Sequence, residues 1–165
     1  MSEFESYEVV SYEEDGFVIF IPSTWEQIED DGGVSLFRHQ SGYEVQVEKV
    51  FFEPGATSPG PGLEIELLRS RNDPEIETAS TPIVLVSGAA MMSYRWREEA
   101  QPDAVTLYCE LCRYVSPTVL AVIRFGSTID RDNLDDVTVV CWSHIFRQMA
   151  RMTEFPEMED EILPA

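Results

Sequence analysis

Cys109-Glu110-Leu111-Cys112 is the segment that comes nearest to a chemical motif in this chain. Two thiols at that spacing bind a metal or cycle as a redox pair when a turn or a helix start brings both sulfurs to one side. Here they fall within a β pattern, and residues three apart in a strand point to opposite faces. No second C-x-x-C and no nearby histidine completes a tetrahedral set. Two separate, buried, structural cysteines are therefore expected. With Cys141 the count is three, an odd number that argues against a disulfide framework.

Other chemistries have less to stand on. The two histidines are His39, at the close of a strand pattern, and His144, at the edge of a helical stripe. Neither sits near a Gly-x-Ser-x-Gly elbow, so a Ser-His-Asp site is not indicated. Pro54 to Gly62 holds three prolines and three glycines but no lysine, and reads as an exposed loop rather than a phosphate cradle. Asp130-x-Asp132-x-x-Asp135 lacks the glycine and the closing glutamate of a calcium loop. No catalytic residue, metal site or cofactor is expected.

Aromatic residues offer a different chemistry, that of recognition. Met92, Tyr94 and Trp96 alternate along one strand pattern, and Tyr108 and Tyr114 share a face of the long run from Val105 to Val115. If helices cover one face of the sheet, Tyr94, Trp96, Tyr108 and Tyr114 would gather on the other. An exposed aromatic patch of that kind marks a partner site.

Those side chains need a sheet to hold them. Strand patterns run over Tyr7–Tyr12, Phe17–Ile21, Val34–His39, Tyr43–Glu48, Ile83–Val86, Val105–Val115 and Val119–Phe125, with another carrying Met92 to Trp96. Short turns separate most of them, including Asp15-Gly16 and Gln101-Pro102-Asp103, and short turns imply antiparallel neighbours. Ser23 and Glu26 suggest a capped helical turn, and Glu75 to Pro82 reads as loop. Leu63–Arg71 is compatible with strand or helix, and its Leu-Glu-Leu-Leu-Arg composition selects a helix. Leu134, Val137, Cys141, Ile145, Met149 and Met152 form one stripe of a closing amphipathic helix, flanked by Val139, Trp142 and Phe146 and capped by Asp130 or Asp132. The expected architecture is α+β: an antiparallel meander with that helix and a shorter mid-chain helix packed on it. One domain over 1–152 is expected, followed by an acidic, flexible tail over 153–165.

Charge narrows the partners. The 165 residues carry 31 acids against 11 bases, a formal charge of −20, and Lys49 is the single lysine. Such a surface repels phosphate backbones and anionic membranes, so nucleic-acid and membrane binding are disfavoured. A basic protein partner would be attracted, and a surface adapted to high salt would look the same. The opening Met1-Ser2-Glu3-Phe4-Glu5 has no basic and apolar leader pattern, so cytoplasmic residence is expected.

Gly16-Phe17-x-Ile19-x-Ile21-Pro22-x-x-Trp25, followed by further strands and a closing amphipathic helix, resembles the Mog1/PsbP-like fold group over about residues 7 to 152. The resemblance implies an antiparallel sheet with helices on it and a role that is non-enzymatic as a rule. Members include a nuclear-transport GTPase-binding protein, photosystem extrinsic subunits and chaperones for secreted bacterial effectors. No shared active site carries over. The sequence thus favours a protein-binding or adaptor domain, with self-association left open. The alternative is a small-ligand protein or enzyme using a pocket between sheet and helix.

Overall fold

The computed structural model describes residues 9–31, 33–40, 42–53, 68, 73–97 and 100–157. The chain opens with a hairpin, β1 (Val9–Glu14) and β2 (Phe17–Pro22). Its two turn residues, Asp15 and Gly16, both have positive φ, 55° and 85°. That mirror-image turn matches the twist of the flanking strands, which is why Asp-Gly marks hairpins.

The main sheet has eight strands, all paired antiparallel. Strands β3 (Trp25–Asp31), β4 (Val34–His39) and β5 (Glu44–Phe52) form one run. Strands β8 (Ala90–Arg97), β9 (Ala104–Tyr114) and β10 (Leu120–Asp130) form a second. The two runs join where β5 pairs with β10, and the short strand β6 (Ile76–Ala79) adds to β8 at the far edge. A two-residue strand, β7 (Ile83–Val84), also pairs with β8. A 3-10 turn at Arg131–Asn133 leads into one α-helix, α1 (Asp136–Met152).

This is a correction to the expected α+β class. Among the described residues the fold is mostly antiparallel β, in sheets that stay open, with a single α-helix. The mid-chain helix expected over 63–71 is not supported; all of that stretch but Leu68 lies outside the described residues, as does the whole Pro54–Gly62 loop. Two further expectations change. Trp25 opens strand β3 instead of a helical turn, and Ile76–Ala79 is an edge strand inside a stretch that reads as loop. An edge strand pairs on one side only and needs no continuous apolar run, so four residues of mixed polarity suffice.

Period-two alternation along the central strands builds a core on each face. One cluster unites Phe17, Phe37, Val47, Leu111, Ile123 and Phe125 with Trp142, Phe146 and Met149 of α1. The opposite face carries Leu68, Met92, Tyr94, Cys112, Tyr114 and Leu120. Lys49 reaches from β5 to the hairpin, donating to Glu14 at 2.9 Å. The chain past the helix continues to pack: Val18 and Glu154 exchange backbone hydrogen bonds of 2.9 and 2.8 Å, and Thr153 and Phe155 are buried.

The helix forms as the sequence indicates but presents a different face. Trp142, Phe146, Met149 and Ala150 are buried, whereas Cys141 is exposed and Val137 keeps 71% of its surface in solvent. On a 3.6-residue helix the docked stripe lies roughly a quarter-turn from the one through Val137 and Cys141. Leu134 precedes the helix and contributes from outside it. Asp130 caps only the 3-10 turn, and its side chain makes no capping hydrogen bond.

Candidate functional site

The four aromatic residues singled out above do share a face, the one opposite α1. Antiparallel pairing sets Tyr94 of β8 directly against Tyr108 of β9, and Trp96 against Thr106. Ring centroids of Tyr94 and Tyr108 are 5.2 Å apart, and those of Trp96 and Tyr108 6.4 Å. Tyr94 and Tyr114 are nevertheless buried, and only Trp96 and Tyr108 remain half-exposed. Leu68 packs into the same cluster, so most of this face is a second core, not an open patch.

Space for Tyr108 comes from the neighbouring strand. Gly126 faces it across the β9–β10 pair, and a Cβ there would lie 2.5 Å from the tyrosine ring. The Arg124 guanidinium sits 5.3 Å from the ring centroid, within reach of a cation–π attraction. Arg124 also faces Glu48 at 3.5 Å and the buried Glu110 at 3.6 Å. Burial works against its charge, but Tyr94, Glu110, Glu48 and Tyr108 outweigh that and raise its pKa. The guanidinium thus stays charged and holds Glu110 within the sheet face, while its Nε, also buried, has no hydrogen-bond partner.

A groove of about 300 Å³ opens between the sheet edge and α1. Thr78, Ala79 and Ser80, all exposed, form its outer wall at and just past edge strand β6. Ser93 and Arg95 of β8 with Leu107 of β9 line it from the sheet, and Tyr94 and Tyr108 border it. Val139, Ser143, Phe146 and Arg147 close it from the helix. Their spacing of three to four residues puts them on one side of α1. The Ser80 hydroxyl accepts a 2.9 Å hydrogen bond from the Ser93 amide, tying the rim to β8.

The cysteines resolve as alternation requires. Cys109 belongs to the cluster under α1 and Cys112 to the one on the other face. Burial pushes the Cys109 thiol up to about 12, against smaller opposing effects of the Ser93 hydrogen bond and the Arg147 charge. A thiol so protonated is a poor nucleophile and a poor metal ligand. His39 lies against Trp25, with centroids 5.2 Å apart, and His144 is exposed on the helix. They lie on different elements from the C-x-x-C segment, and no group of three metal-ligating side chains forms among the described residues.

Sequence reasoning offered a pocket between sheet and helix only as an alternative, and apart from Tyr94 and Tyr108 it assigned no site role to any residue lining this groove. Its walls come from β6, β8, β9 and α1, none of which carries a local signal for it. A count of cations in the sequence returns 11 bases and does not separate Arg95 and Arg147 from the rest.

No protein-family model matches the chain, and no curated protein does. Among solved structures, a crystal structure from Bacteroides thetaiotaomicron VPI-5482 is similar, with a TM-score of 0.51 and 13% identity. The match covers 92% of this chain and 49% of that one, so this chain spans about half its neighbour's length. At that identity the likeness concerns the fold alone. No helix among the described residues is long and apolar enough to cross a membrane.

Proposed function

We propose that this chain is a non-enzymatic binding domain that takes an extended segment of a partner protein into the groove between β6 and α1. One observation carries the reading: the groove opens at a sheet edge whose rim residues, Thr78, Ala79 and Ser80, are exposed and uncharged. An extended peptide laid there would add a strand to the edge and drop alternate side chains between sheet and helix. The far edge of the sheet contrasts with this one. Strand β3 presents Glu26, Glu29, Asp30 and Asp31 and is broken by a bulge between Gln27 and Glu29. Charge and bulges are how edges are kept from pairing. A bulge also interrupts β6, between Ile76 and Thr78, but it leaves Thr78 and Ala79 in register with Arg95 and Tyr94.

The resemblance of the opening strand and Trp25 to the Mog1/PsbP-like group, whose members bind other proteins, supports the same reading. Cytoplasmic residence belongs to the same proposal, and the odd count of three cysteines, all free, supports it. A small-ligand site or an active site is the second reading, and the groove volume sits at the low end of what such pockets need.

Peptide arrays followed by amide chemical-shift titration of the labelled chain test the proposal. Shifts should concentrate on residues 76–80, 93–95 and 139–147. The Ser143→Trp variant, which fills the groove, should lose binding and keep its melting temperature. Shifts confined to the outer side of α1 or to β3 would refute the assignment. Saturable binding of small metabolites but no peptide would favour the second reading.

A further inference from the structure

We propose that the groove selects an acidic stretch of its partner, a segment bearing a glutamate or aspartate side chain, even though the molecule as a whole is strongly acidic. This rests on the peptide-groove reading above and names the chemistry of its occupant.

The described residues lining the groove include two arginines, Arg95 and Arg147, and no carboxylate. That is the reverse of the chain's balance of 31 acids to 11 bases. Three arginines are matched: Arg38 pairs with Glu44, Arg124 with Glu48 and Glu110, and Arg131 with Glu77; what sets Arg95 and Arg147 apart from the remaining described arginines is that both line the groove. Among the described residues neither Arg95 nor Arg147 makes an ion pair. Glu77 feels the charges of Arg95 and Arg97, but its own hydrogen bond goes to Arg131. The hydroxyls of Thr78, Ser80 and Ser143 add donors around the same space, while that of Ser93 is engaged with Cys109.

Both arginines line the groove and no carboxylate does, so an incoming carboxylate meets two positive side chains there. Arginine suits it, because its planar fork meets both oxygens of a carboxylate at once. The opposing effect is the repulsion of an acidic peptide by the net charge of −20. At physiological salt the screening length is about 8 Å, so acids more than one such length from the groove contribute little, while a direct contact at hydrogen-bond distance is barely screened. The local pair therefore decides selectivity, and the net charge slows encounter.

The test uses short fluorescein-labelled peptides that alternate threonine and valine and differ only at the centre, where they carry glutamate, glutamine or lysine. Anisotropy at physiological salt should show the glutamate peptide binding about tenfold tighter than the other two. The preference should vanish in Arg95→Gln/Arg147→Gln. It should fall in the single Arg147→Gln variant, which alters an exposed residue and whose melting temperature checks the fold. Equal binding of all three peptides, abolished by Ser143→Trp, would overturn the acidic preference and leave the groove reading standing. A preference for the lysine peptide would overturn it in favour of a basic partner. Binding of none of them would remove both.

Discussion

Gly126→Ala gives the most direct test of how the sheet face opposite α1 is built. An alanine Cβ at this position lies 2.5 and 2.7 Å from Cε1 and Cδ1 of Tyr108, and 3.6 Å from Thr106. The first two separations are far inside van der Waals contact, so the tyrosine ring must swing away. It cannot move without loosening its contacts with Tyr94, Trp96 and Arg124. Overpacking of this kind costs about 1–3 kcal/mol. Against it, alanine restricts the unfolded chain and returns about 0.4–1 kcal/mol. A net loss of about 1–2 kcal/mol follows from those two terms. Urea denaturation followed by far-UV circular dichroism measures it as a lower midpoint at unchanged slope. A double-mutant cycle isolates the cause: with Tyr108→Ala in place, the same change at Gly126 should be neutral or stabilising. An undiminished loss in the Tyr108→Ala background would refute the reasoning, because the cost would then lie in the strand backbone and not in the ring. Wild-type stability of Gly126→Ala alone would refute it as well.

Three shorter predictions follow from the rest of the molecule. Phe146→Ala should destabilise by about 3–5 kcal/mol through loss of its contact with the sheet, and Val137→Ser should stay within about 0.5 kcal/mol; the reverse order in thermal melts would mean that α1 docks by its other stripe. With a thiol-reactive disulfide reagent near neutral pH, Cys141 should react promptly, while Cys109, pushed up to about 12 by burial, and the buried Cys112 should wait for unfolding; prompt reaction of two or more thiols would contradict this. The Arg131 hydrogen bond holds the Glu77 carboxyl below its ordinary value of 4.5, so its stabilisation is present above that pH and is lost as pH falls through the lower folded value. The stability gap between wild type and Glu77→Gln should therefore be level near neutrality and narrow in acid, and a gap that widens in acid would reverse the assignment.

Local pattern determines much of this protein. Alternation in the runs that become β5, β8, β9 and β10 places Tyr94, Trp96, Tyr108 and Tyr114 on one face, and the same parity separates Cys109 from Cys112 across the sheet. Asp15-Gly16 announces its hairpin because few other residue pairs tolerate two positive φ values in succession. These features depend on neighbours within a few residues, and a single sequence contains them.

Tertiary contact decides the rest. Helix α1 carries apolar residues on more than half its circumference, so its own sequence does not choose between the stripe through Val137 and the one through Phe146. The sheet chooses, because only one docking closes over Phe37, Leu111 and Ile123. Whether Tyr94 and Tyr114 end as patch or core depends on what covers them, and Leu68 arrives from a distant part of the chain. Strand β6 exists because β8 offers an edge, and the groove exists because β6 and α1 both border that edge. Arg95 and Arg147 are more than fifty positions apart in the chain. Their chemistry becomes shared only when the sheet and the helix bring them to one space, and that is a long-range property no local periodicity records.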